Sequence, residues 1–298
     1  MRFLDADAVA ALGPAAAVEA ITDALRGGLD PAADPARVSV ELTKGQFLLM
    51  PSQSSAAAGV KVVTVAPDNP AHGLPRIQAA YLLFDAATLA LRAILDGAAL
   101  TTLRTPAVSV AAVLDRLPDR ALRVAVLGAG PQATGHVSTL AAVRPLERVT
   151  YLVRDPSRTR LDAVVLGGPA ADEALRSADV VVCATSARSP VFDSSLLRDD
   201  VVVIAVGSHE PDARELDAPL LGRATVVVED VATALREAGD VVLAIADGAL
   251  GAADLVPLRD VVTGAATMPS DRPVLFKSVG MSWQELVVAT AVLRHSEG

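Results

Sequence analysis

The hydrophobic residues in the first third of the chain follow two patterns in turn. Val18, Ile21 and Leu25 recur at helical spacing, which predicts a helix over residues 15–25. After residue 36, apolar and polar residues alternate as they do in half-buried strands. The predicted strands cover residues 37–42, 46–51, 59–65, 78–84 and 90–95. Lys44-Gly45 separates the first two and favours a hairpin, so we expect a mostly antiparallel sheet.

The pattern changes after residue 120. Short apolar runs of the buried-strand type now alternate with helical segments, which is typical of a doubly wound parallel sheet. These runs cover residues 123–127, 148–153, 179–184, 201–206 and 224–229. Between residues 153 and 179 there is too little chain for the usual helix, strand and helix, so residues 158–168 receive no assignment. Residues 283–293 are predicted to form a helix that packs on the first domain through Leu286, Val287, Thr290 and Leu293.

A glycine-rich loop lies where the two patterns meet. The string Gly128-Ala129-Gly130-Pro131-Gln132-Ala133 follows a β-branched run and precedes a helical pattern. In such a loop the first glycine permits a tight turn, the second lets the backbone approach a diphosphate, and the small third residue lets the helix pack on its strand. The freed N–H groups and the positive end of the helix attract phosphate. The string alone is weak evidence, but its strand-and-helix context predicts a dinucleotide-binding site.

Composition narrows the classes of protein that remain. A hydrophobic content of 52% in 298 residues is enough for two folded cores and excludes a disordered chain. The net charge of −9, without a basic block, gives no electrostatic basis for binding nucleic acid or an anionic membrane. The single Cys183 lies in an apolar run, and no unbroken apolar run reaches the length of a membrane span. A soluble protein of the reducing cytoplasm is expected.

Several ordered motifs together resemble the ornithine cyclodeaminase and mu-crystallin family over essentially the whole chain. They are Met50-Pro51, Gly59-Val60-Lys61, Gly73-Leu74-Pro75, Leu100-Thr101-Thr102-Leu103-Arg104-Thr105, the glycine loop with His136, Gly207-Ser208, Pro211 with Arg214-Glu215-Leu216-Asp217, and Lys277-Ser278-Val279-Gly280. The resemblance implies an α/β fold and a homodimer. A Rossmann-type doubly wound domain, residues 118–276, would be inserted into an α+β substrate-binding and dimerisation domain with a mostly antiparallel open sheet, residues 1–117 and 277–298.

The resemblance also implies where the substrate binds. Three pocket cations of the family fall on Arg37, Lys61 and Arg104, and Gln78 lies on the strand that the family places beside the substrate. A guanidinium holds a carboxylate through two parallel hydrogen bonds and a lysine adds a point charge, so these residues suit a substrate with an α-carboxylate. The alternative for each cation is a surface charge paired with a neighbouring carboxylate, and for Gln78 a solvated strand residue.

His209 departs from the family pattern. Cyclodeaminases carry an aspartate two residues before the proline of this loop, and here that proline is Pro211. An imidazole can still transfer protons near neutral pH, so His209 remains a catalytic candidate beside Lys61, the alternative being a loop histidine without a catalytic part. The missing carboxylate disfavours ornithine cyclisation and favours hydride transfer to the C=N carbon of an imino acid.

The choice between NAD and NADP is predicted from the residues at the end of the second strand of the predicted Rossmann-type domain, residues 148–153. An acidic residue there selects NAD, and an arginine tolerates the 2′-phosphate of NADP. This chain has an arginine, Arg154, followed by an acidic residue, Asp155, and Ser157 and Arg158 lie close in sequence. NADP is therefore favoured, and NAD remains the alternative. Asp155 has an alternative role at the start of the following turn. The predicted cofactor-binding residues are Gly128, Gly130, Pro131, Gln132, Ala133, Arg154, Asp155, Ser157, Arg158, Gly207, Asp230, Ser278 and Gly280. Capping the next helix is an equal alternative for Asp230.

Three functions therefore compete. The first is an NAD(P)H-dependent reductase of cyclic imino acids such as pyrroline-2-carboxylate, in a homodimer that binds a small imino or amino acid. The second is an ornithine cyclodeaminase, which converts ornithine to proline and ammonia with the help of NAD. The third is a non-catalytic binder of NADP and a small ligand, as in mu-crystallin. The four histidines are scattered without ligand spacing, so no metal site is predicted.

Overall fold

A computed structural model describes residues 1–298. Up to the centre of the chain the elements are β1 (Arg2–Leu4), α1 (Ala6–Ala10), α2 (Pro14–Arg26), β2 (Val38–Leu42), β3 (Gly45–Gln53), β4 (Ala57–Val65), β5 (Ile77–Asp85), β6 (Leu91–Asp96) and α3 (Gly97–Val113). Then follow β7 (Leu122–Leu127), α4 (Pro131–Val143), β8 (Leu146–Val153), β9 (Ala163–Val165), α5 (Pro169–Ser177), β10 (Val180–Cys183), β11 (Val202–Ala205) and α6 (Ala218–Arg223). The last elements are β12 (Thr225–Val228), α7 (Val231–Glu237), α8 (Gly239–Ala246), β13 (Val256–Pro257), α9 (Leu258–Val262), β14 (Val274–Lys277) and α10 (Ser282–His295).

The chain divides into two compact units. Unit 1 comprises Met1–Val108 and Met281–Gly298, and unit 2 comprises Ser109–Gly280. The boundaries suggested by the sequence, after residues 117 and 276, lie beyond the end of α3 and inside β14. Each unit contains one sheet and is described separately.

Unit 1 is built on a six-stranded sheet in the order β1-β6-β5-β4-β3-β2. All neighbouring strands are antiparallel except β1 and β6, which are parallel. The predicted hairpin at Lys44-Gly45 joins β2 to β3. Helix α10 packs on β3, β4 and β5 and also contacts α2. The mostly antiparallel sheet predicted from the alternating pattern is confirmed.

The two faces of this sheet differ in their surroundings. In β4 the odd-numbered residues from Ala57 to Val63 are buried, and their partners Met50 and Tyr81 are buried with them. The opposite face, which we call the open face, stays partly exposed to solvent. It consists of Phe3, Val38, Val40, Leu42, Phe47, Leu49, Val60, Val62, Leu82, Phe84 and Ile94. One sheet face is therefore a packed core and the other is apolar but uncovered.

Unit 2 is an eight-stranded, all-parallel sheet in the order β13-β12-β14-β11-β10-β7-β8-β9. The order reverses between β7 and β10, as in a doubly wound fold. All five strands predicted from the apolar runs are present, and the predicted α/β fold is confirmed. The unassigned stretch 158–168 contains β9, and its crossover from β8 is shortened to a 3₁₀ turn at Pro156–Arg158.

Helix α10 is more completely buried than its predicted apolar face requires. Leu286 and Leu293 are buried as expected, but Val287 and Thr290 are only half-buried. The buried side also includes Gln284 and Glu285 and, further along, Val288, Ala289 and Val292. The predicted helix and its packing on the first domain are confirmed. The buried side is wider than the predicted face and includes two polar residues with buried partners, which hydrophobic periodicity cannot detect.

One helical stretch is both long and strongly apolar. Residues Gly97–Arg116 are long and apolar enough to cross a membrane by length and composition, but 67% of the most apolar window is buried inside the structure. Burial of this kind is typical of the core helix of a soluble protein. We therefore assign it to the protein core.

Asp34 connects the first turn of α10 to strand β3 through two hydrogen bonds. Its carboxylate accepts a hydrogen bond from the Ser52 hydroxyl at 2.6 Å and one from the Trp283 backbone N–H at 2.5 Å. Burial raises the pKa of Asp34 to about 6, although both hydrogen bonds oppose the rise, and the nearby Glu285 adds to it. Asp34 thus holds the first turn of α10 through a carboxylate that is partly withdrawn from water.

The raised pKa of Asp34 has a consequence for stability. Because the folded state binds this proton more tightly than the unfolded state does, the contribution of Asp34 to the free energy of unfolding falls as the pH rises from about 4 to 6. In Asp34→Asn this dependence is absent. The difference in unfolding free energy, wild type minus variant, should therefore decrease by about 1–2 kcal/mol between pH 4 and pH 7, after discounting for solvent screening. Urea denaturation of both proteins at several pH values measures it, and a difference that stays constant or grows with pH contradicts the assignment.

Candidate active site and dinucleotide-binding loop

Two cations and one carboxylate form a buried cluster in unit 1. Lys61 lies in the middle of β4, Arg104 lies on α3, and Glu285 lies in the first turn of α10. Their exposed fractions are 4%, 5% and 0%. Glu285 Oε1 accepts from Lys61 Nζ at 2.5 Å and from Arg104 Nε at 2.7 Å. The structure therefore brings together two of the three predicted pocket cations, on one carboxylate oxygen.

Gln284 is a second residue of α10 that binds the Arg104 guanidinium. Its side-chain oxygen accepts from Arg104 Nη1 at 2.5 Å, so two consecutive residues of α10 bind one guanidinium. No protein acceptor takes the N–H groups of Arg104 Nη2. Because a guanidinium is planar and presents its donors in a fixed fork, the arrangement fixes Arg104 and leaves donors for a further carboxylate.

The charges in the cluster shift each other's protonation. Burial lowers the pKa of Lys61 to about 8; Glu285 opposes this, whereas Arg104 and Arg37 reinforce it. Burial alone would raise the pKa of Glu285, but Arg104 and Lys61 outweigh it and hold that pKa below its usual range. At neutral pH the cluster therefore contains two cations and one anion.

Two buried polar atoms beside the cluster have no partner. They are Glu285 Oε2 and the hydroxyl of Tyr81, the strand partner of Lys61. Gly59 explains how the tyrosine fits, because a Cβ at position 59 would collide with the Tyr81 hydroxyl. Buried polar atoms without partners are rare in folded proteins and often mark functional sites. The cluster is thus incomplete by itself, as expected of a site that accepts a polar ligand.

Arg37 and Gln78 differ in their relation to this cluster. Arg37 is half-buried in the segment before β2, close enough for its charge to lower the pKa of Lys61. Gln78 pairs with Thr64 on the neighbouring strand and is exposed on the face opposite Lys61. The structure brings Arg37 near Lys61 but does not bring Gln78 to the cluster. Its partner Thr64 is three positions after Lys61, and an odd offset along a strand places the side chain on the opposite face.

In unit 2 the glycine loop has the geometry that its sequence predicts. Gly128 has a φ of 106°, and a Cβ there would lie 2.5 Å from the Ala184 carbonyl oxygen. Gly130 precedes α4 without a side-chain cap, and a Cβ there would meet nothing within 4 Å. Pro131 and Gln132 begin α4, and Ala133 is fully buried. The first turn of α4 thus has uncapped N–H groups beside open space, which fits a dinucleotide diphosphate.

The loop also lies at the appropriate place in the sheet. Gly128 follows β7, and Ala184 follows β10, the two strands between which the order reverses. Ligands of open α/β sheets bind at the carboxyl ends of strands at such a switch point. His136 of α4 is fully buried against Ser109 and the Gln132 carbonyl, and burial lowers its pKa to about 4, which makes it a neutral packing residue.

The residues after β8 are exposed at the same edge. Gly128 N–H donates to the Leu152 carbonyl, so the glycine loop and the end of β8 are neighbours. Arg154 and Arg158 are exposed, whereas Asp155 caps the 3₁₀ turn by accepting from the backbone N–H and the hydroxyl of Ser157. These Ser157 contacts lower the pKa of Asp155. The turn-starting role considered for Asp155 is therefore observed.

A buried carboxylate organises the loops after β10 and β11. Glu215, fully buried, accepts from the Thr185 N–H and hydroxyl and from the Gly207 N–H, all at 2.7–2.8 Å. Burial raises its pKa, an effect that Lys277 opposes. Asp240 binds the Glu215 N–H and lies 2.8 Å from Lys277 Nζ, which also donates to the Ser208 carbonyl. The loop that carries His209 therefore starts from a rigid base.

His209 itself is less constrained. Its side chain is exposed and makes no hydrogen bond, while the adjacent Glu210 pairs with Arg188 from the loop after β10, as does Asp212. A general base is normally held by a partner that fixes its ring. His209 lacks such a partner, so its catalytic role stays a prediction.

Glu229, the neighbour of the predicted Asp230, binds the segment that follows β14. Glu229 is buried and accepts from the Ser278 hydroxyl and from the backbone N–H groups of Val279 and Gly280. Asp230 caps α7 by accepting from the Thr233 N–H at 2.7 Å. Gly280, with a φ of 79°, allows the turn after β14. The predicted Ser278 and Gly280 are thus placed by a residue that the sequence did not single out.

Sequence reasoning assigned no positioning role to four buried polar residues that hold the site: Gln284, Glu285, Glu215, which was named only as part of a motif, and Glu229. Two of them lie beside apolar runs: Glu229 follows three buried valines of β12, and Glu285 precedes Leu286 and Val287. A lone acid in such a place is a usable signal, since a buried carboxylate requires partners. No group of three or more His, Cys, Asp or Glu residues is arranged to hold a metal ion.

Known proteins resemble the chain over its full length. The model of the ornithine cyclodeaminase/mu-crystallin family matches residues 8–297. A Δ1-pyrroline-2-carboxylate reductase of Bacillus cereus is 35% identical over 272 residues, which are 86% of this chain and 83% of the relative. Ketimine reductase mu-crystallin of Rattus norvegicus is 32% identical over 267 residues, 87% and 83% of the two chains.

Solved structures share the complete fold. Thermococcus litoralis Δ1-pyrroline-2-carboxylate reductase, in complex with NADH and L-proline, has a TM-score of 0.86 and 26% identity, covering 99% of this chain and 98% of its own. An archaeal alanine dehydrogenase dimer with bound NAD has a TM-score of 0.84 and 27% identity, covering 99% and 95%. The chain belongs to the ornithine cyclodeaminase/mu-crystallin family.

Proposed function

We propose that this protein is an NAD(P)H-dependent reductase of cyclic imino acids. The observation that carries the proposal is the buried cluster of Lys61, Arg104 and Glu285, whose net positive charge and open Arg104 donors suit an α-carboxylate. The glycine loop of unit 2 supplies the second requirement, a site for a dinucleotide. Relatives that reduce pyrroline-2-carboxylate and ketimines share most of the chain length.

In this proposal, residues of unit 1 bind and orient the substrate. Arg104 Nη2 donates to the substrate carboxylate, and Arg37 adds a second guanidinium near Lys61. This hold fixes the imine carbon and nitrogen in one orientation, and orientation supplies a large part of the rate in such reactions. The reduced nicotinamide, when bound, supplies the hydride that the imine carbon accepts.

Lys61 is the proton donor in this proposal. A pKa of about 8 keeps the ammonium mostly protonated at neutral pH and makes it a better acid than an ordinary lysine. Protonation of the imine nitrogen makes the C=N carbon a better hydride acceptor. The exposed and unoriented His209 gives no comparable support for ornithine cyclisation, so we propose the simple reduction.

We propose NADP as the preferred cofactor. Arg154 is exposed directly after β8, where a 2′-phosphate would lie, with Arg158 and Ser157 in the following turn. Asp155 Oδ1 already accepts both hydrogen bonds from Ser157, which leaves it less able to hold a ribose diol.

We further propose that the protein is a homodimer of the cytoplasm, with the open face of the unit 1 sheet in the dimer interface. Val38, Val40 and Leu42 are 50%, 42% and 46% exposed on the edge strand β2, and they continue the row of half-buried apolar residues on β3, β4 and β5. An apolar sheet face with an unpaired edge strand favours association with a second copy. A net charge of −9 and a buried Cys183 suit a soluble protein of a reducing compartment.

The function is tested by incubating the protein with pyrroline-2-carboxylate or piperideine-2-carboxylate and either NADPH or NADH, and following the loss of reduced-nicotinamide absorbance. We expect turnover with at least one imine. In Arg104→Ala the KM for the imine should rise about 30-fold or more, because a buried charged partner of the carboxylate is lost. The Kd for NADPH should stay within about twofold, since Arg104 lies in unit 1.

Two outcomes count against the proposed reaction. The first is the absence of turnover with both imines together with ammonia release from ornithine. The second, which would show that Arg104 is misplaced, is an equal loss of cofactor and substrate binding in Arg104→Ala.

The cofactor preference is tested by Arg154→Ala. The ratio of kcat/KM with NADPH to kcat/KM with NADH should fall about tenfold, the effect of losing one hydrogen bond to a charged group. Arg160→Ala, another exposed arginine a few residues away, serves as the matched control and should leave the ratio unchanged. If both variants change the ratio equally, the effect is one of net charge and Arg154 is not the selecting residue.

The dimer interface is tested by Val40→Glu. Light scattering should give twice the chain mass of 30.5 kDa for the wild type and a single chain mass for the variant, because a charge would be buried in an apolar contact. Leu235→Glu is the control, since Leu235 is 39% exposed but lies on α7 of unit 2. A Val40→Glu protein that stays dimeric would place the interface elsewhere.

A further inference from the structure

The carboxylate of Glu285 joins three elements that are distant in sequence. Glu285 lies 224 residues after Lys61 and 181 after Arg104, and it meets both through a single oxygen, Oε1. The element on which it lies, α10, is itself anchored at Trp283 by Asp34. Glu285 therefore positions the Lys61 ammonium and, together with Gln284, the Arg104 guanidinium.

The geometry differs from that of a purely structural ion pair. A buried structural carboxylate normally uses both oxygens, because an unpartnered charged oxygen is costly in a protein interior. Here Glu285 Oε2 is buried without a partner, and Arg104 Nη2 has no protein acceptor. The protein therefore leaves two polar groups of the cluster available to a ligand, Glu285 Oε2 and Arg104 Nη2.

We propose that Glu285 is the positioning residue of this site: it holds Arg104 in the orientation that binds the substrate carboxylate and keeps Lys61 charged and directed as the proton donor. This inference rests on the proposed reductase function. Glu285 itself need not touch the substrate, since it acts through the two cations that it binds.

The electrons and protons of the step balance. A hydride, with its two electrons, forms the new C–H bond at the imine carbon while the C=N π bond breaks. The nitrogen takes a proton from Lys61 Nζ, so the product is a secondary amine and Lys61 is left neutral. Lys61 then regains a proton from water. Glu285 stabilises the charged form of Lys61 before the step and stays ionised throughout.

Several charged or titratable groups surround Lys61. Glu285 faces it from α10 and raises its proton affinity, whereas Arg104 from α3 and Arg37 from the segment before β2 lower it. Tyr81 on β5 and Asp34 interact with Glu285, and the pKa of each is raised mainly by burial. Among the groups that act on Lys61, Glu285 is thus the one that favours the ammonium form.

The proton affinity of Lys61 can be measured without any enzyme assay. The chain contains only three lysines, Lys44, Lys61 and Lys277, so lysine labelled with ¹³C at Cε gives three NMR signals, and Lys61→Arg identifies one of them. In Glu285→Gln the pKa of Lys61 should fall by about one pH unit or more, because the adjacent charge is lost while burial and the two arginines remain. In Glu285→Asp, which keeps the charge, most of the wild-type pKa should be restored.

Two further variants separate this effect from general disruption. Gln284→Leu removes an equally buried neighbour that binds Arg104 but carries no charge, and the pKa of Lys61 should stay as in the wild type. Arg104→Leu should raise the pKa of Lys61, since it removes a repelling cation and leaves Glu285 to Lys61 alone. If Glu285→Gln does not fold, the direction of the Lys61 pKa shift in Arg104→Leu tests the proposal instead. A Lys61 pKa that is unchanged in Glu285→Gln, or that falls in Arg104→Leu, overturns the proposal.

The link to catalysis is read from the pH dependence of kcat. If Lys61 is the donor, activity is lost at high pH as Lys61 deprotonates, and in Glu285→Gln this alkaline limb should move to lower pH by the shift seen in the NMR titration. An alkaline limb that does not follow the Lys61 pKa overturns the donor role. If the wild type reduces no imine, the proposed function fails, whereas the NMR titrations still decide whether Glu285 sets the charge of Lys61.

Discussion

The compensation of buried charge is the constraint on which the unit 1 site depends. Lys61 and Arg104 are almost inaccessible to water, and a buried cation without a counter-ion costs several kcal/mol. Glu285 supplies the counter-charge from the far end of the chain. The site therefore exists only when the last helix has returned to the N-terminal sheet. The packing of α10 on the unit 1 sheet therefore also pairs the two cations with Glu285.

In unit 2, buried carboxylates bind backbone N–H groups instead of cations. Glu215 and Glu229 are buried at the carboxyl ends of the parallel strands, where each accepts three hydrogen bonds, mostly from N–H groups of neighbouring loops. The loops bound by Glu215 follow β10 and β11, and the segment bound by Glu229 follows β14; of these strands, β10 is the neighbour of β7, which leads into the glycine loop. Loops are normally the most mobile part of an α/β fold. Here buried carboxylates hold them, which gives the dinucleotide a preformed surface.

The sequence predicted the strands that show either a recognisable alternation or a longer apolar run, the latter including the four-residue strands β10, β11 and β12. Strands β3, β4 and β5 each have nine residues, enough for alternation to be recognised, whereas β1, β9, β13 and β14 have two to four residues and no measurable period. The glycine loop was predictable because its requirement is local: one positive φ and one uncapped helix start. Glu285 was not, because its role depends on partners 181 and 224 residues away. Alternation also shows why Gln78 fails as a neighbour of Lys61, since it occupies the other face of the sheet.

In the proposed reaction Lys61 must meet two opposed demands, and the cluster accounts for both. To attract a carboxylate it has to be charged at neutral pH, but to protonate a nitrogen it has to release that proton readily. Burial and the two arginines favour release, whereas Glu285 favours the charge. Their balance gives a pKa of about 8, close enough to neutrality for both tasks. A lysine on the protein surface would remain charged but would be a poor acid, and a buried lysine without Glu285 would tend to lose its proton before the substrate arrived. In this proposal the carboxylate on α10 keeps a buried lysine charged while it can still release its proton.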